Sequence, residues 1–558
     1  MNKRRASGVL LSRCLLLLQG FIVAAVAFGN ARAAEPPVSS VAAASELQSE
    51  FYAADSVQEV HLTIAENDLR RMHEALPERI SVPAVFRWRD QVFPDVAVRF
   101  KGNSSSSPQQ QHKRSFLVRF DEYSEDTRFL GMRRVSFDNG VQFGSLFSEP
   151  IITEIMRDLE IPVHRCNYAK LYINQRYYGV YGNVERIDDT FLQRQFGNAN
   201  GLLFKVDEGG PGGDLRLFSR EPDAYGRAFE LKHGDRSQAY EQLLSFVQLV
   251  NAPAPAQEAL AIQSEFHMQP FLRVTAVLLF AGAFDQLTGW NPHNYYLYRD
   301  PDDERWHYLP WDLDVGFCEV AFGRIQVLRD WHAAWPAPGG TPSPLLEQLL
   351  ASPQLRGEYR RVAAEILERF FQPESMCARI DQKYELIREA LHSDPFPHAR
   401  VTNPADSGYD SIVQSMKEFV VRRYATARQQ LASPGQRPQF AQPREAQPQP
   451  GPSSPDAPSE LALVSVTSAG VALRWRDNAE NEAGTILQRA DGEEGAGGSK
   501  FRNHIGQPGG NIASVTDPGV RPGGTYRYRV YSIRPTPRGM SGTGVSNVVT
   551  VTVEQPLN

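Results

Sequence analysis

The sequence is most informative between residues 270 and 317. The run PFLRVTAVLLFAGAF, residues 270–284, is the most apolar helix candidate, and it leads directly into DQLTGWNPHN, residues 285–294. Two strand candidates follow at 294–298 and 306–309, and the second leads into PWDLDVGF, residues 310–317. At about 15 residues the apolar run is too short to span a bilayer, so we expect a buried core helix.

Polar side chains cluster directly after this helix and after the second strand. Asp285 stands at the end of a rigid helix, two amides follow it, and the strand pair returns Asp312 and Asp314 to the same edge. Phosphoryl transfer needs such a set, with one Asp to orient the hydroxyl and an Asn and an Asp to hold Mg²⁺. Asp and Asn also form turns and helix caps, so the cluster alone is a weak signal.

The surrounding segments predict a mixed α+β domain over residues 55–432. Alternating apolar residues predict strands near residue 57, at 96–101 and at 116–120, and a hairpin at 168–173 and 177–183. Helical patterns cover residues 66–76, 148–159 and most of 343–431.

The N-terminal residues predict export. Lys3, Arg4 and Arg5 precede an apolar run at 15–28, and the small-x-small sequence Ala31-Arg32-Ala33 follows. This order is typical of a secretory signal peptide. We expect residues 1–33 to be removed and residues 34–54 to form a mobile leader. The protein is then secreted, periplasmic or on the cell surface, and not an integral membrane protein. An uncleaved N-terminal anchor is the alternative.

Composition excludes several classes of protein. Hydrophobic residues make up 41% and charged residues 22% of the 558, which is typical of a globular protein. Residues 1–33 carry five positive charges and no negative ones, so their removal changes the net charge from −6 to −11. No basic stripe remains that would predict a nucleic-acid partner. Cys14 leaves with the signal peptide, the three remaining cysteines allow at most one disulfide, and no CxxC spacing predicts structural zinc.

The C-terminal part has a different pattern. Residues 433–458 are rich in Pro and Gln and predict an extended linker. Short alternating segments with turn signals then run from 459 to 555. This region resembles a small all-β fibronectin type III sandwich, with Trp475 as its core tryptophan.

Several short motifs follow one another across about residues 57–430. They are Arg99-Phe100-Lys101-Gly102-Asn103-Ser104-Ser105, Lys113-Arg114-Ser115-Phe116, Tyr172-Ile173-Asn174, Tyr178-Gly179-Val180-Tyr181, Glu185-Arg186-Ile187-Asp188, His293-Asn294-Tyr295-Tyr296-Leu297-Tyr298 and Pro310-Trp311-Asp312-Leu313-Asp314. Together and in this order they resemble the CotH kinase family, an atypical branch of the protein-kinase-like fold. The resemblance implies a kinase-like α+β domain of the CotH type, followed here by the small sandwich.

The resemblance also implies roles for the polar cluster. Asp285 resembles the catalytic aspartate, and Asn291 or Asn294 the metal-binding amide. Asp314 precedes Val-Gly-Phe and resembles the metal aspartate of the Asp-Phe-Gly type. Asp312 is the competing candidate for this role, and a contribution from both aspartates is the third possibility.

The expected nucleotide-binding residues follow from the same resemblance. Lys113 is expected to meet the phosphates, and Lys205 is the alternative, unless it is a surface lysine on an edge strand. The loop that begins at Lys101 and Gly102 is neither a Gly-x-Gly-x-x-Gly sequence nor a P-loop. Its backbone amides and the hydroxyls of Ser104 and Ser105 would have to cover the phosphates.

Four further residues have two interpretations each. Glu185 follows the hairpin in the place of a kinase hinge, where it contacts the nucleotide or caps the next helix. Glu149 or Glu154 pairs with the phosphate lysine or faces solvent. His293 acts as a base or, as we prefer, orients the loop.

Three functions follow from these features. The first is a secreted protein kinase that transfers the γ-phosphate of ATP, with Mg²⁺ or Mn²⁺, to Ser or Thr of a surface or extracytoplasmic protein. The second is a non-catalytic coat, structural or adhesion protein that docks on a surface polymer or protein through its C-terminal sandwich. The third is a carbohydrate-active enzyme with Asp312 and Asp314 as its carboxylate pair.

Overall fold

The computed structural model describes most of the chain after the predicted signal peptide, which lies outside the described residues. The described ranges are 38–102, 106, 113–140, 145–207, 212–252, 259–290, 292–321, 325–338, 342–396, 408–438, 457–467, 470–479, 482, 484–492, 501–508, 512–520, 523–536 and 539–553.

Seven strands form a closed barrel at the N-terminal end. They are β1 (Val57–Ile64), β2 (Val82–Trp88), β3 (Gln91–Lys101), β4 (Ser115–Arg119), β5 (Arg134–Asp138), β6 (Cys166–Ile173) and β7 (Arg176–Val184). Their order around the barrel is β1-β2-β3-β4-β5-β7-β6, and the closing pair β1–β6 is parallel while the other pairs are antiparallel. Aromatic side chains fill the interior, where Phe86, Phe120 and Phe129 contact one another.

The predicted mobile leader is wrong for most of its length. Residues Val38–Phe51 form helix α1, and Phe51 and Tyr52 at its end are buried in the barrel core. Phe51 contacts the rings of Trp88 and Phe129 at centroid distances of 5.4 and 5.0 Å. The Ala- and Ser-rich composition suggested mobility, but two aromatic residues at the end of the segment bury enough apolar surface to anchor it.

A second layer carries a four-stranded antiparallel sheet. Its strands are β8 (Leu202–Val206), β9 (Glu230–His233), β10 (Tyr295–Arg299) and β11 (Trp306–Pro310), in the order β11-β10-β8-β9. Two short hairpins follow, β12 (Val320–Ala321) with β13 (Ile325–Gln326) and β14 (Trp331–His332) with β15 (Trp335–Pro338). The strand pair that the sequence predicts after residue 294 is therefore confirmed as β10–β11.

Helices pack around these sheets. They are α2 (Glu66–Glu74), α3 (Ser148–Asp158), α4 (Asp189–Phe196), α5 (Arg236–Val250), α6 (Ala259–Glu265), α7 (Met268–Ala281), α8 (Val327–Asp330), α9 (Pro344–Ala351), α10 (Pro353–Phe370), α11 (Pro373–His392) and α12 (Tyr409–Ala432). Within the described ranges, every helix is too short or too polar to cross a membrane.

Helix α7 is the buried core helix that the apolar run predicts. Eleven of its residues, from Met268 to Ala281, are buried. The helix ends earlier than the run does, because Gly282 takes a left-handed conformation with φ of 66°. A Cβ atom at Gly282 would stand 2.8 Å from Cζ of Phe419, so glycine also makes room for α12. Three residues therefore separate the helix from Asp285.

The C-terminal strands form two sheets over one core. The sheets are β16 (Ser459–Thr467), β17 (Gly470–Arg476) and β20 (Ser514–Asp517), and β18 (Gly484–Asp491), β19 (Arg502–Pro508), β21 (Thr525–Thr536), β22 (Gly539–Gly542) and β23 (Val549–Thr552). Trp475 is buried in this core, as expected, beside Leu473 of the first sheet and Tyr528 of the second. Among the described residues, Cys166, Cys318 and Cys377 form no disulfide.

Candidate active site

Two chain segments carry the predicted catalytic carboxylates, and hydrogen bonds hold the segments together. One follows α7 and the other follows β11. The side-chain amide of Asn294 donates to Oδ2 of Asp285 at 3.2 Å, and the Asn294 carbonyl accepts from the backbone N–H of Trp311 at 3.0 Å. The amide of Gln286 donates to the Trp311 carbonyl at 2.8 Å. The fold therefore brings Asp285 and Asn294 beside the segment that contains Asp312.

Both segments contain a backbone conformation that few non-glycine residues adopt. Asn294 has φ of 56° and Asp312 has φ of 58°. Residues in this region carry a conformational cost of roughly 1–3 kcal/mol and occur often at functional sites. Both residues belong to the predicted site, Asn294 through its hydrogen bond to Asp285 and Asp312 as a member of the acidic segment.

Asp312 and Asp314 are difficult to ionise together. Burial and the neighbouring Glu149 carboxylate raise the pKa of Asp312 to about 7, against the opposing effect of the Lys101 ammonium. Burial, Asp312 itself and Glu149 raise the pKa of Asp314 well above its ordinary value. Like charges at close range disfavour each other's ionised form, and a cation between them removes that cost.

Glu149 belongs to this acidic cluster, whereas Glu154 does not. The buried Glu149 carboxylate lies 2.8 Å from Nε2 of His164 and accepts a hydrogen bond from the backbone N–H of Leu313 at 3.3 Å. Glu154, farther along α3, forms ion pairs with Lys383 and Arg379. The structure thus separates two glutamates that the sequence alone leaves equivalent.

Three cations surround the indole ring of Trp311, the residue before Asp312. The ammonium groups of Lys101 and Lys205 each lie 5.9 Å from the ring centre, and the guanidinium of Arg186 lies 4.9 Å from it. Lys101 also pairs with Asp138, and Lys205 pairs with Asp207 at 2.8 Å. Three cations therefore lie beside the acidic segment, two of them with carboxylate partners, and a polyphosphate is bound by charge-assisted contacts from such cations.

The sequence favours a surface position on an edge strand for Lys205, and the structure contradicts this. Strand β8 lies between β9 and β10, and 9% of the Lys205 side chain is exposed. Burial lowers the pKa of its ammonium, and the Asp207 carboxylate opposes this change. Its position on an inner strand arises from pairing with Tyr296 of β10, a long-range contact that local sequence does not reveal.

The prediction that Lys113 meets the phosphates is contradicted by its surroundings. Its side chain is fully buried, and Nζ lies 2.7 Å from Oδ2 of Asp394. The same ammonium donates to the carbonyl of Val180 and lies 4.8 Å from the ring centre of Tyr181. Lys113 and Asp394 are both fully buried, whereas the Asp207 partner of Lys205 is 42% exposed. Because a buried charge must be paired, Lys113 serves as the partner of Asp394, and a nucleotide does not reach its ammonium.

Glu185 also has a structural partner in place of a nucleotide. Its carboxylate is buried and pairs with Arg165 at 2.5 Å and with Arg194 at 2.8 Å. The predicted alternative, a cap on the next helix, is wrong as well, because Asp188 accepts from the backbone N–H of Thr190 at the start of α4. The residue of this stretch that turns to the site is Arg186.

Asp285 is partly accessible to solvent. One quarter of its side chain is exposed, and Nε2 of His293 lies 3.6 Å from Oδ2. This contact agrees with the preferred interpretation that His293 orients the loop.

Gly102, at the start of the predicted phosphate loop, has φ of 86°, and its carbonyl accepts a hydrogen bond from Arg79 at 3.3 Å.

Three predicted residues have no described position. Ser104, Ser105 and Asn291 lie outside the described residues. Their roles remain predictions.

Sequence reasoning missed three residues that the structure places at the site. Arg186 was present in a quoted motif without a role, and Asp138 and Asp207 were not considered. Each acidic residue ends a strand or directly follows one, Asp138 on β5 and Asp207 after β8. A carboxylate at the end of a strand is therefore the sequence pattern that predicts these two residues, and it is the same pattern that predicts Asp312 after β11.

A family model described as "CotH kinase protein" matches residues 98–427, which is more than half of the chain. The chain belongs to the CotH kinase protein family. The range matched by the CotH model contains every candidate residue described above, from Lys101 to Asp314, and also Asp394. It leaves out β1, β2 and the C-terminal strands. The family resemblance of the motifs is thereby confirmed.

Similarity to individual proteins is more distant. The CotH chain is 23% identical over 336 residues to inner spore coat protein H of Bacillus subtilis (strain 168), across 60% of this chain and 88% of that protein. A solved structure titled "Myokine structure" is 16% identical with a TM-score of 0.15, and covers 18% of this chain and 100% of its own. The fibronectin type-III domain of human fibronectin type III domain containing protein 3 is 22% identical with a TM-score of 0.14, and covers 19% and 91%. Such scores establish no fold.

The donor set of this CotH site fits a hard divalent cation. Carboxylate and amide oxygens from Asp312, Asp314 and Asn294 are ligands of the type that Mg²⁺ takes. Among the described residues, the carboxylates here do not form a group of three whose ligand atoms all lie within 4.8 Å of one another. That spacing suits an ion held by one or two carboxylates, which takes its remaining ligands from phosphates and water.

Proposed function

We propose that this protein is an ATP-dependent phosphotransferase that phosphorylates Ser or Thr hydroxyls of extracytoplasmic or surface proteins. One observation carries the proposal: three cations, Lys101, Lys205 and Arg186, surround Trp311, and the acidic segment begins at the next residue, Asp312. A polyphosphate needs positive charge on its oxygens and a metal ion on its other side. The cations beside Trp311 would supply the first, and an ion held by Asp312 and Asp314 would supply the second.

Each residue has a proposed role in that reaction. Asp285 accepts a hydrogen bond from the acceptor hydroxyl and orients it, with Asn294 and His293 holding the carboxylate in place. Lys101, Lys205 and Arg186 neutralise phosphate oxygens and fix their position. Asp312 and Asp314, with Asn294 or the undescribed Asn291, would hold Mg²⁺ or Mn²⁺. The bound ion supplies neutralisation of the charge that develops on the phosphate oxygens.

The same arrangement weighs against glycoside hydrolysis. A glycosidase needs a protonated and an ionised carboxylate on either side of a sugar ring. Asp312 and Asp314 are two residues apart on one segment, and both have raised pKa values through burial and mutual repulsion. Three cations at the site also have no task in that mechanism.

The export signal and the C-terminal unit suggest where the reaction takes place. We place the protein outside the cytoplasm, as a secreted, periplasmic or surface protein. The strand order of the C-terminal sheets, β16-β17-β20 and β19-β18-β21 with β22 and β23, agrees with a fibronectin type III-like sandwich. In this proposal the sandwich holds the kinase domain to a surface polymer or protein.

A second function has specific support, since the curated relative is named for a spore coat. A non-catalytic coat protein of the same family would keep the fold and need no phosphate transfer. The nucleotide site itself then separates the two functions, because a structural protein has no reason to bind ATP with metal-dependent affinity.

Phosphate transfer from labelled ATP tests the proposal. The chain from residue 34 onward is incubated with Mg²⁺ or Mn²⁺ and a generic protein acceptor, beside Asp285→Asn and the exposed control Asp223→Asn. We expect transfer by the parent and the control, and a loss of at least about 100-fold in Asp285→Asn, the order typical of a general base. Absence of both label transfer and ATP binding in the parent would favour the coat function.

A further inference from the structure

Asp138, the last residue of β5, has no role in the reaction proposed above, yet its carboxylate lies among the charged groups of the site. It pairs with the ammonium of Lys101 and accepts a hydrogen bond from the hydroxyl of Ser136 at 3.1 Å. Burial is the main cause of the raised pKa values of Asp312 and Asp314, and Asp138 adds to it. Asp138 is therefore close enough to influence both the cations and the acidic segment.

The backbone around Asp138 is fixed by its neighbours in the barrel. Asp138 itself pairs with Gly182 of β7. The next residue, Asn139, is buried, and its backbone N–H donates to the hydroxyl of Ser115 at 2.9 Å. The side-chain amide of Asn139 donates to the carbonyl of Lys113 at 2.8 Å. A carboxylate at this strand end has little freedom to move relative to the rest of the closed barrel.

The two glutamates of α3 that the sequence offers to a phosphate lysine have other partners. The Glu149 carboxylate lies 2.8 Å from Nε2 of His164, and Glu154 pairs with Lys383. In protein kinases the phosphate lysine pairs with a glutamate on a helix, and the position of that helix controls activity. Here the Asp138 carboxylate that pairs with Lys101 belongs to a strand of the closed barrel.

The pair of Lys101 and Asp138 is accessible, unlike the pair of Lys113 and Asp394. The exposed fractions of the side chains are 16% for Lys101 and 18% for Asp138, whereas both members of the other pair are fully buried. The Lys101 ammonium also lies 5.9 Å from the ring centre of Trp311, beside the acidic segment. Because an ammonium has three N–H donors, Lys101 can keep its bond to Asp138 and still donate to a phosphate oxygen.

We propose that Asp138 is the positioning residue of the phosphate lysine Lys101, and that it makes the place of this lysine independent of α3. The inference rests on the phosphotransferase function proposed above. Asp138 acts through Lys101 and does not contact the nucleotide. Its carboxylate holds the ammonium beside Trp311 before ATP arrives, which lowers the entropy that is lost when the ammonium meets a phosphate. The lysine is thus in place without a movement of α3.

Removal of the carboxylate should affect the rate of transfer more than the binding of ATP. Asp138→Asn leaves the Lys101 charge in place, so ATP still binds, but the ammonium is no longer held where the phosphates need it. We expect kcat for transfer to a protein acceptor to fall at least about tenfold, and the KM for ATP to change by less than about threefold. Asp138→Glu restores the charge and should recover most of the loss in kcat.

A double-mutant cycle shows whether Asp138 acts through Lys101. In the Lys101→Met background, the further change Asp138→Asn should cause no additional loss in kcat/KM, because no ammonium is left to position. In the Lys205→Met background, Asp138→Asn should keep its full effect, since Lys205 has its own carboxylate partner, Asp207. Equal losses from Asp138→Asn in the two backgrounds would overturn the proposal.

Two controls separate this role from other causes. The urea midpoint of Asp138→Asn should equal that of the parent, since a partly exposed ion pair adds little stability, and a lower midpoint would assign Asp138 a structural role instead. Glu154→Gln on α3 should leave kcat unchanged, and a fall equal to that of Asp138→Asn would mean that α3 controls the lysine. Absence of transfer by the parent contradicts the proposed function and this role with it. Transfer by the parent with additive losses contradicts the role of Asp138 alone.

Discussion

The carboxylate of Glu149 accepts a hydrogen bond from the backbone N–H of Leu313 at 3.3 Å. Leu313 stands between the two aspartates of the acidic segment, so this bond ties α3 to the residues that we assign to the metal ion. Glu149 also raises the pKa of Asp312 and of Asp314. Burial is the largest cause of these raised pKa values, and Glu149 adds to it while its hydrogen bond helps to position the segment.

Replacing Glu149 with Gln should move metal binding to lower pH. Glutamine keeps an oxygen for the Leu313 N–H but removes a negative charge, so the pKa of Asp312, about 7 in the parent, falls. Asp312 then ionises at lower pH, and the midpoint of Mn²⁺ binding against pH shifts down. Electron paramagnetic resonance of free Mn²⁺ between pH 5 and 8 measures this midpoint.

Glu154→Gln is the matched control for that shift. Glu154 is on the same helix, and it pairs with Lys383 and Arg379 away from the cluster. Its replacement should leave the midpoint in place. A midpoint that moves equally in both variants would mean that the charge of α3 as a whole, and not Glu149, controls the site.

Lys101 and Lys205 should each contribute to nucleotide binding. Replacement with Met removes one charge-assisted contact to a phosphate oxygen, worth about 1.5–3 kcal/mol. We expect the Kd for ATP, measured by isothermal titration calorimetry with Mg²⁺, to rise roughly 10- to 100-fold in either variant. Lys170→Met on β6, a half-exposed lysine paired with Glu59, should leave the Kd unchanged.

The sequence predicted the elements of the site better than their partners. The buried helix, the strand pair after Asn294 and the helix over 148–159 were all predictable, because apolar periodicity reports which face of an element is buried. Whether a lysine is paired or free depends on residues far away in the chain. Lys113 meets Asp394, 281 positions later, and nothing near Lys113 signals that contact.

Arg186 is a second residue whose long-range contact the local sequence does not reveal. Its neighbours Glu185 and Asp188 attracted attention because their charges suit a hinge or a helix cap, and Asp188 does cap α4. Arg186 reaches Trp311 only because β7 and β11 belong to two sheets that meet at the site. Periodicity within one segment carries no information on how two sheets meet.

Asp517 should make the stability of the C-terminal sandwich depend on pH. Its carboxylate is fully buried and accepts from Arg489 at 3.0 Å, and from Tyr528 and His504 at 2.8 Å. Burial raises the pKa of Asp517, but these hydrogen bonds outweigh burial and hold the pKa well below its ordinary value. The resulting stabilisation is present above about pH 4 and is lost as the pH falls below the unfolded-state pKa.

Asp517→Asn tests this dependence. Loss of the charged acceptor should destabilise the sandwich by roughly 2–3 kcal/mol at pH 7, and by less at pH 3.5, where the parent is weakened too. Hydrogen exchange of peptides from β18 and β21, read by mass spectrometry in the full chain, gives the opening free energy. Asp491→Asn removes the exposed partner of Arg489 and should cost under about 1 kcal/mol. Equal costs for Asp517→Asn at both pH values would contradict the assignment.

Gly179 should be required for the buried pair of Lys113 and Asp394. A Cβ atom at Gly179 would stand 2.5 Å from Oδ2 of Asp394, and the residue has φ of 120°. Alanine would therefore push the Asp394 carboxylate away from the Lys113 ammonium and leave a buried charge without its partner. Such a loss typically costs about 3–5 kcal/mol, and we expect Gly179→Ala to lower the free energy of unfolding in urea by that amount.

Two comparisons isolate the cause of that loss. Gly131 also has positive φ, 82°, but a Cβ atom there meets nothing within 4 Å, so Gly131→Ala reports backbone strain alone, roughly 1–2 kcal/mol. In the double variant Gly179→Ala/Lys113→Met, the pair has already been broken by one change and cannot be broken again by the other. The double variant should therefore lose clearly less stability than the sum of the losses in the two single variants. Strict additivity would show that Gly179 acts through its backbone and not through Asp394.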